Sequence, residues 1–132
     1  MDLILRNSIV AGRDDPTVVD IGIENGRIVA IEPDLVAEGR EIDLGARLVS
    51  PGFIETHIHL DKSCILERCK SEKGGLEEAI EQVTKAKKAF TADDVSARAR
   101  RTLEKCIAQG TTHMRTHLEV DPGIGLRGLD GV

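Results

Sequence analysis

The chain has 132 residues, a formal net charge of −5 and 40% hydrophobic residues, with aromatic residues at only 2% and no Trp or Tyr. This acidic and aromatic-poor composition argues against nucleic-acid binding, which relies on basic faces and stacking side chains. The length allows one domain or two small pieces around an aliphatic core. No apolar run reaches the length of a membrane span, so no membrane partner is expected.

The cysteines predict a cytoplasmic protein. Cys64, Cys69 and Cys106 make an odd number, and the first residues show no basic leader followed by an apolar stretch. Reduced thiols are the simplest account of that pattern. The spacing of Cys64 and Cys69 fits no common zinc pattern, which argues against a cysteine-based metal site.

Residues 1–50 predict short strands joined by turns. Leu3–Leu5 and Ser8–Val10 are two brief apolar runs, and a hairpin is predicted over 17–31, where apolar and polar residues alternate before Asn25-Gly26. Asn-Gly suits a type I′ turn, whose central residues both have positive φ. These strands are few, and a small sheet needs a second layer to bury one face. We therefore expect a sheet that needs further chain from elsewhere, with a small independent β-domain as the alternative.

The stretch from Pro51 to Ser63 reads PGFIETHIHLDKS and predicts a strand over 53–60. Alternation along this strand places Glu55, His57 and His59 on the same face. Two imidazoles at positions i and i+2 project from one side of a strand and form half of a metal-binding set. A His-x-His pair alone is weak support for a metal site, because histidines on the surface or in the core give the same pattern.

A charged loop and two helices follow. Apolar residues at three- and four-residue spacing predict the first helix from Leu76 onwards. Thr91 stands three residues before Asp94, as in a capping box, and predicts the start of a second helix over 92–109. Gly110 is the expected C-terminal cap.

A second strand is predicted over 111–120, and residues 125–132 indicate the opening of another helix. One face of the strand carries four polar residues, His113, Arg115, His117 and Glu119. The order strand, helices, strand is a βαβ-type unit, which makes the two strands parallel neighbours.

The strings PGFIETHIHLDKS and GTTHMRTHLEVDPGIGLRG, at this separation, resemble the amidohydrolase superfamily and, within it, the cytosine deaminase-like branch. Members of that branch follow His-x-His with Leu-Asp and later present an Arg-Thr-His strand. The resemblance covers nearly the whole chain and implies an α/β fold. Residues 51–132 would form the first two strands and helices of an incomplete metal-dependent hydrolase (β/α)8 barrel, preceded by part of a β-sandwich in residues 1–50.

The resemblance implies hydrolysis of C–N bonds other than peptide bonds, in cyclic amidines or aminated heterocycles. His57 and His59 match two metal ligands on the first barrel strand, and the metal, zinc or iron, activates the attacking water. The family's remaining ligands and its acid/base residues lie on later strands, beyond Val132. We therefore expect an N-terminal fragment that is inactive alone and does not hold a metal stably.

Asp61 and Lys62 follow the histidine pair at the end of the strand, where barrel loops build the pocket. With His117, which should lie beside His59, they are expected near the substrate or next to a metal ligand. Ordinary local hydrogen bonding is the alternative for each of them.

Glu55 and Arg115 would face each other one step deeper in the barrel. Since a buried carboxylate must be paired or protonated, we predict a structural ion pair between them.

Two other functions stay open. Another amidohydrolase, such as a ring-opening cyclic amidase, would use the same histidines, and a stand-alone non-enzymatic module would use none of these residues. The expected partner is a small heterocyclic substrate, and a homo-oligomeric complete enzyme is left open.

Overall fold

The computed structural model describes residues 1–15 and 17–132. By the contacts within the chain, these residues form two compact units, Met1–Pro51 and Gly52–Val132. Among the described residues, no helix combines the length and the apolar composition that crossing a membrane requires.

The first unit is a four-stranded sheet with strands β1 (Leu3–Val10), β2 (Val18–Glu24), β3 (Arg27–Glu32) and β4 (Arg40–Val49). The strand order is β3-β2-β1-β4, with β1 antiparallel to β2 and parallel to β4. The predicted hairpin is confirmed, because β2 and β3 pair antiparallel across Asn25 and Gly26, which have φ of 50° and 71°.

β1 is a single strand, although its sequence shows two apolar runs. Asn7 separates the runs with a φ of 54°, and the pairing with β2 shifts around it. The backbone N–H of Asn7 donates to Asp20 Oδ1, and its side-chain amide donates to Asp43 Oδ1, each at 2.9 Å. These two bonds satisfy the residue that interrupts the ladder, so the strand continues through the bulge.

The second unit contains β5 (Phe53–Ile58), α1 (Leu76–Lys87), α2 (Ala92–Ala108), β6 (Thr111–Thr116) and α3 (Arg127–Gly131), with 3₁₀ turns at Leu60–Lys62 and Leu66–Arg68. β5 and β6 pair in parallel, as the predicted βαβ order requires. The order of strands and helices and the parallel pairing confirm the expected α/β class.

Both strands of the second unit end earlier than predicted, because a side chain enters the ladder. The backbone N–H of Leu60 donates to Thr116 Oγ1 at 3.1 Å instead of to a carbonyl of β6. One backbone bond, from His117 N to the carbonyl of Ile58 at 2.7 Å, closes the pairing. The chain then turns at Leu60, which places His59 and His117 just beyond the strand ends.

The helices of the second unit pack over the loop that follows β5. Ile65, Phe90, Val95 and Ile124 form the apolar core, and Arg98 lies with its guanidinium carbon 4.2 Å from the centre of the Phe90 ring. The predicted cap of α2 is confirmed, since Thr91 Oγ1 accepts from the backbone N–H of Asp94 at 3.1 Å. The loop is thus held against a core that the helices and the segments connecting them supply.

Candidate metal-binding site

Three histidines meet at the carboxyl ends of β5 and β6. Ring centroids are 5.4 Å apart for His57 and His59, 4.2 Å for His57 and His117, and 5.5 Å for His59 and His117. The cluster forms because parallel neighbours end at the same edge of a sheet. His117 was expected beside His59, and the structure places it nearer to His57.

His57 and His59 offer the donor chemistry of a metal site but only part of a ligand set. Neutral imidazole nitrogens suit zinc and iron. Within residues 1–15 and 17–132, no group of three His, Cys, Asp or Glu side chains is arranged to hold a metal ion. The residues therefore fit a metal as two of its ligands.

His59 is held in the neutral form that binds metals. Burial lowers its pKa below the ordinary value, and the positive charge of Lys62 lowers it further. The nearby Asp61 carboxylate acts in the opposite direction without reversing the shift. The ring is therefore uncharged at neutral pH.

Asp61 lies beside His59 and is one of the most buried side chains, with 1% of its surface exposed. Its Oδ2 accepts from the backbone N–H of Glu119 at 2.9 Å, and its Oδ1 lies 3.9 Å from His59 Nδ1. Asp61 thus combines the two roles that the sequence left open, a local backbone bond and an approach to a candidate ligand.

Lys62 belongs to a chain of alternating charges that also includes Glu119, Lys87 and Asp121. Its ammonium lies 3.1 Å from Glu119 Oε2, and Glu119 Oε1 accepts from Lys87 Nζ at 2.8 Å. Lys87 Nζ also donates to Asp121 Oδ2 at 2.5 Å. The bonds to Asp121 and Glu119 raise the pKa of Lys87, and the bond from Lys87 lowers the pKa of both carboxyl groups.

Two buried cations in this region, Lys87 and Arg98, have roles that the sequence analysis did not identify. Arg98 Nη1 donates to the backbone carbonyls of Asp61 and Ser63 at 3.0 and 2.8 Å. The sequence does contain a signal for both cations, because each falls in line with the apolar residues of its helix. Lys87 lies between Val83 and Phe90, and Arg98 follows Val95 by three residues. A charged residue on a buried face needs a partner.

The predicted Glu55–Arg115 ion pair is not formed within the described residues. Glu55 Oε1 instead accepts from the backbone N–H of His57 at 2.9 Å, and Arg115 is exposed. The reason is the register, which places Met114 opposite Glu55 and shifts between Glu55 and Ile58. The carboxylate is satisfied within its own strand and needs no cation.

Residues 40–130 match the model of the amidohydrolase family. Because that match covers more than half of the sequence, this chain belongs to the amidohydrolase family. N-isopropylammelide isopropyl amidohydrolase of Pseudomonas sp. (strain ADP) is 33% identical over 137 aligned positions, which cover 99% of this chain and 34% of the relative.

A solved structure shows the same arrangement of elements. The 5-methylcytosine deaminase of Klebsiella pneumoniae, liganded with 5-fluorocytosine, aligns with a TM-score of 0.82 at 28% identity, over 97% of this chain and 31% of that one. Allantoinase of Bacillus licheniformis is 37% identical over 59 residues, 45% of this chain and 13% of the relative. The chain spans about a third of the length of the two relatives that it matches along almost its whole length.

Proposed function

We propose that this chain provides two metal ligands, His57 and His59, to a hydrolase that deaminates a small aminated nitrogen heterocycle. The observation that carries the proposal is the meeting of the imidazoles at the carboxyl ends of two parallel neighbouring strands. In a (β/α)8 barrel this is the end at which active sites lie. The membership in the amidohydrolase family supports the assignment.

In this proposal, residues 51–132 are the first two strands and helices of such a barrel, and residues 1–50 are part of a β-sandwich. The remaining ligands and the acid/base residues come from sequence that corresponds to the other two thirds of the relatives. The mostly exposed apolar side chains of Phe53 and Ile54 support this division, because later barrel elements would cover them. By itself the chain holds a metal only weakly.

The substrate class rests on the two relatives that match along nearly the whole chain. One is named for N-isopropylammelide and the other for 5-methylcytosine, and both compounds are nitrogen rings with an amino substituent on a ring carbon. A cyclic amidase is the second candidate within the family. We favour deamination because the match to allantoinase covers only 45% of the chain.

The proposed ligands would hold one divalent ion, zinc or iron. When bound, such an ion supplies an activated water at neutral pH for attack on the ring carbon. The other residues orient the pocket around it: Asp61 lies against His59, and His117 packs on His57. The Lys62 ammonium, fixed by Glu119, offers a positive charge to the polar edge of a substrate.

A chimaeric enzyme tests the proposal. This chain would replace the matching N-terminal segment of the Klebsiella 5-methylcytosine deaminase, and metal content and deamination of 5-methylcytosine would be measured. The unaltered chimaera should contain about one metal ion per chain. His57→Ala or His59→Ala should remove the metal and lower kcat/KM more than about 100-fold, since even partners of metal ligands contribute 10- to 100-fold.

His113→Ala is the matched control, because His113 lies on β6 outside the cluster and its ring contacts Thr112. It should leave metal content unchanged. A folded chimaera that keeps its metal after His57→Ala and His59→Ala would contradict the proposal. If the isolated chain were also monomeric, free of metal and cooperative in its thermal unfolding, the two results together would favour a non-enzymatic module.

A further inference from the structure

Two buried polar atoms next to the histidine cluster have no hydrogen-bond partner. They are His59 Nδ1 and Asp61 Oδ1, and they lie 3.9 Å from each other. Buried polar atoms are nearly always paired, so two unpaired ones this close together need an explanation. The distance is slightly too long for a hydrogen bond and too short for an intervening water.

The Asp61 side of this pair is rigidly held. Its Oδ2 is fixed by the backbone N–H of Glu119, and its own carbonyl accepts from the guanidinium of Arg98. α3 approaches from another side, since a Cβ atom added at Gly128 would lie 3.4 Å from Asp61 Cβ. With Oδ2 committed, Oδ1 is the oxygen left free toward the imidazole.

The His59 side is less restrained. His59 lies after the end of β5, and 38% of its side-chain surface is exposed. Because His59 is the less restrained partner, a movement of its ring, rather than of Asp61, would close the remaining distance between Nδ1 and Oδ1. None of the other histidines in the described part of the chain has a carboxylate oxygen within 4.0 Å of a ring nitrogen.

We propose that Asp61 is a positioning residue for His59, whose Nδ1–H it accepts, so that Nε2 is left free to bind a metal ion. Histidines that ligate metals usually donate their second ring N–H to a carboxylate or a carbonyl, which fixes the tautomer and the orientation of the ring. The metal-binding part rests on the proposed function. The hydrogen bond and the tautomer do not, because they belong to the chain without metal.

The tautomer can be measured directly on this chain. A long-range ¹H–¹⁵N correlation spectrum of ¹⁵N-labelled protein, recorded at pH 8, distinguishes the Nδ1–H from the Nε2–H form of each histidine. We expect His59 in the Nδ1–H form, which is the less common tautomer of free histidine. A His59 found in the Nε2–H form would overturn the proposal. This measurement is made on the unaltered chain and needs no variant.

Asp61→Asn sharpens the test. The amide oxygen of the introduced Asn can still accept from the backbone N–H of Glu119. Its NH₂ group then points toward His59, and because that group donates, Nδ1 must accept and the Nε2–H form is favoured. Glu55→Gln is the matched control, because Glu55 bonds to the backbone of His57 and should leave the tautomer of His59 unchanged. An unchanged His59 spectrum in folded Asp61→Asn protein would also overturn the proposal.

Zinc affinity of the chimaera provides the second measurement. Asp61→Asn should weaken zinc binding about 10- to 100-fold, with Glu55→Gln as the control. Equal zinc affinity in Asp61→Asn, despite a reversed tautomer, would contradict the metal-positioning role. If the tautomers behave as expected and the unaltered chimaera binds no zinc, the positioning bond stands and the proposed function fails.

Discussion

Two regions of the second unit have opposite exposures. In the strand pair, Phe53 and Ile54 of β5 expose 64% and 68% of their surface. In the loop and helices next to the strand ends, Asp61 exposes 1% and Arg98 3%. Loops usually run over the surface while strands lie in the interior, so the arrangement is reversed here.

The difference shows which part of the site this chain builds by itself. The loop after β5 is closed by residues of the helices and of the segments that connect them, with Phe90 and Arg98 at the centre. The strand pair leaves apolar side chains of both its faces, Phe53 and Ile54, mostly exposed, which fits strands that need further neighbours. The surroundings of Asp61 are therefore complete within this chain, whereas those of the strand that leads to it are not.

Phe90→Ala should have the largest effect on this contrast. Phe90 is 1% exposed and carries the guanidinium of Arg98 on its ring. Loss of such a side chain should lower the free energy of unfolding of the second unit by about 3–5 kcal/mol. Urea unfolding measures this value. A loss below about 1 kcal/mol would show that the helices do not form a self-contained core.

Lys87→Met should have a smaller effect that depends on pH. Hydrogen bonds to charged groups contribute about 1.5–3 kcal/mol, and the partial exposure of the carboxylates reduces the expected loss to about 1–2 kcal/mol at pH 7. The pKa of Glu119 and of Asp121 is lowered, so their contribution is present above the ordinary values of 4.5 and 3.8 and is lost as the pH falls through the folded-state values. The raised pKa of Lys87 maintains its contribution up to strongly alkaline pH.

The measurement for Lys87→Met is urea unfolding of both proteins at pH 7 and at pH 3. The difference in stability should shrink at the lower pH. Lys88→Met is the matched control, because Lys88 is exposed and directly adjacent in the chain. Equal losses for the two variants, or a difference that does not change with pH, would show that the charge chain is not stabilising.

Ile54→Ala should have the smallest effect. Because the residue is 68% exposed, the free energy of unfolding of this chain should change by no more than about 0.5 kcal/mol. In the chimaera, where the proposed barrel covers the strand, the same change should cost about 2 kcal/mol or more. Equal small losses in both proteins would mean that β5 stays uncovered, contrary to the barrel proposal.

The parts of the fold that were predictable carry short-range signals. Asn25-Gly26 indicated the hairpin turn, Thr91 with Asp94 the start of α2, and Gly110 its end. The histidine pair was identifiable from its spacing and its sequence context. Each of these features depends on residues close together in the chain, whose geometry the backbone fixes locally.

The features that were missed depend on residues far apart in the chain. The strands end early because the Thr116 hydroxyl replaces a backbone acceptor, which alternation does not reveal. The Glu55–Arg115 pair fails for a related reason, since alternation gives the face of a side chain but not the register between strands. Arg98 binds the carbonyl of Asp61, 37 positions away, and only its place on an apolar stripe hinted at a buried partner.

The bulge at Asn7 decides which side chains of β1 share a face. Leu5 pairs with Ile21 and Ser8 with Val19, so an odd-numbered and an even-numbered residue of β1 lie on the same side. The face that Ile21 and Val19 share is thus met by odd-numbered residues of β1 before Asn7 and by even-numbered ones after it. Deleting Asn7 would remove the extra residue, so that Leu5 and Ser8 would stand two positions apart and share the face of Ile21 and Val19 by simple alternation.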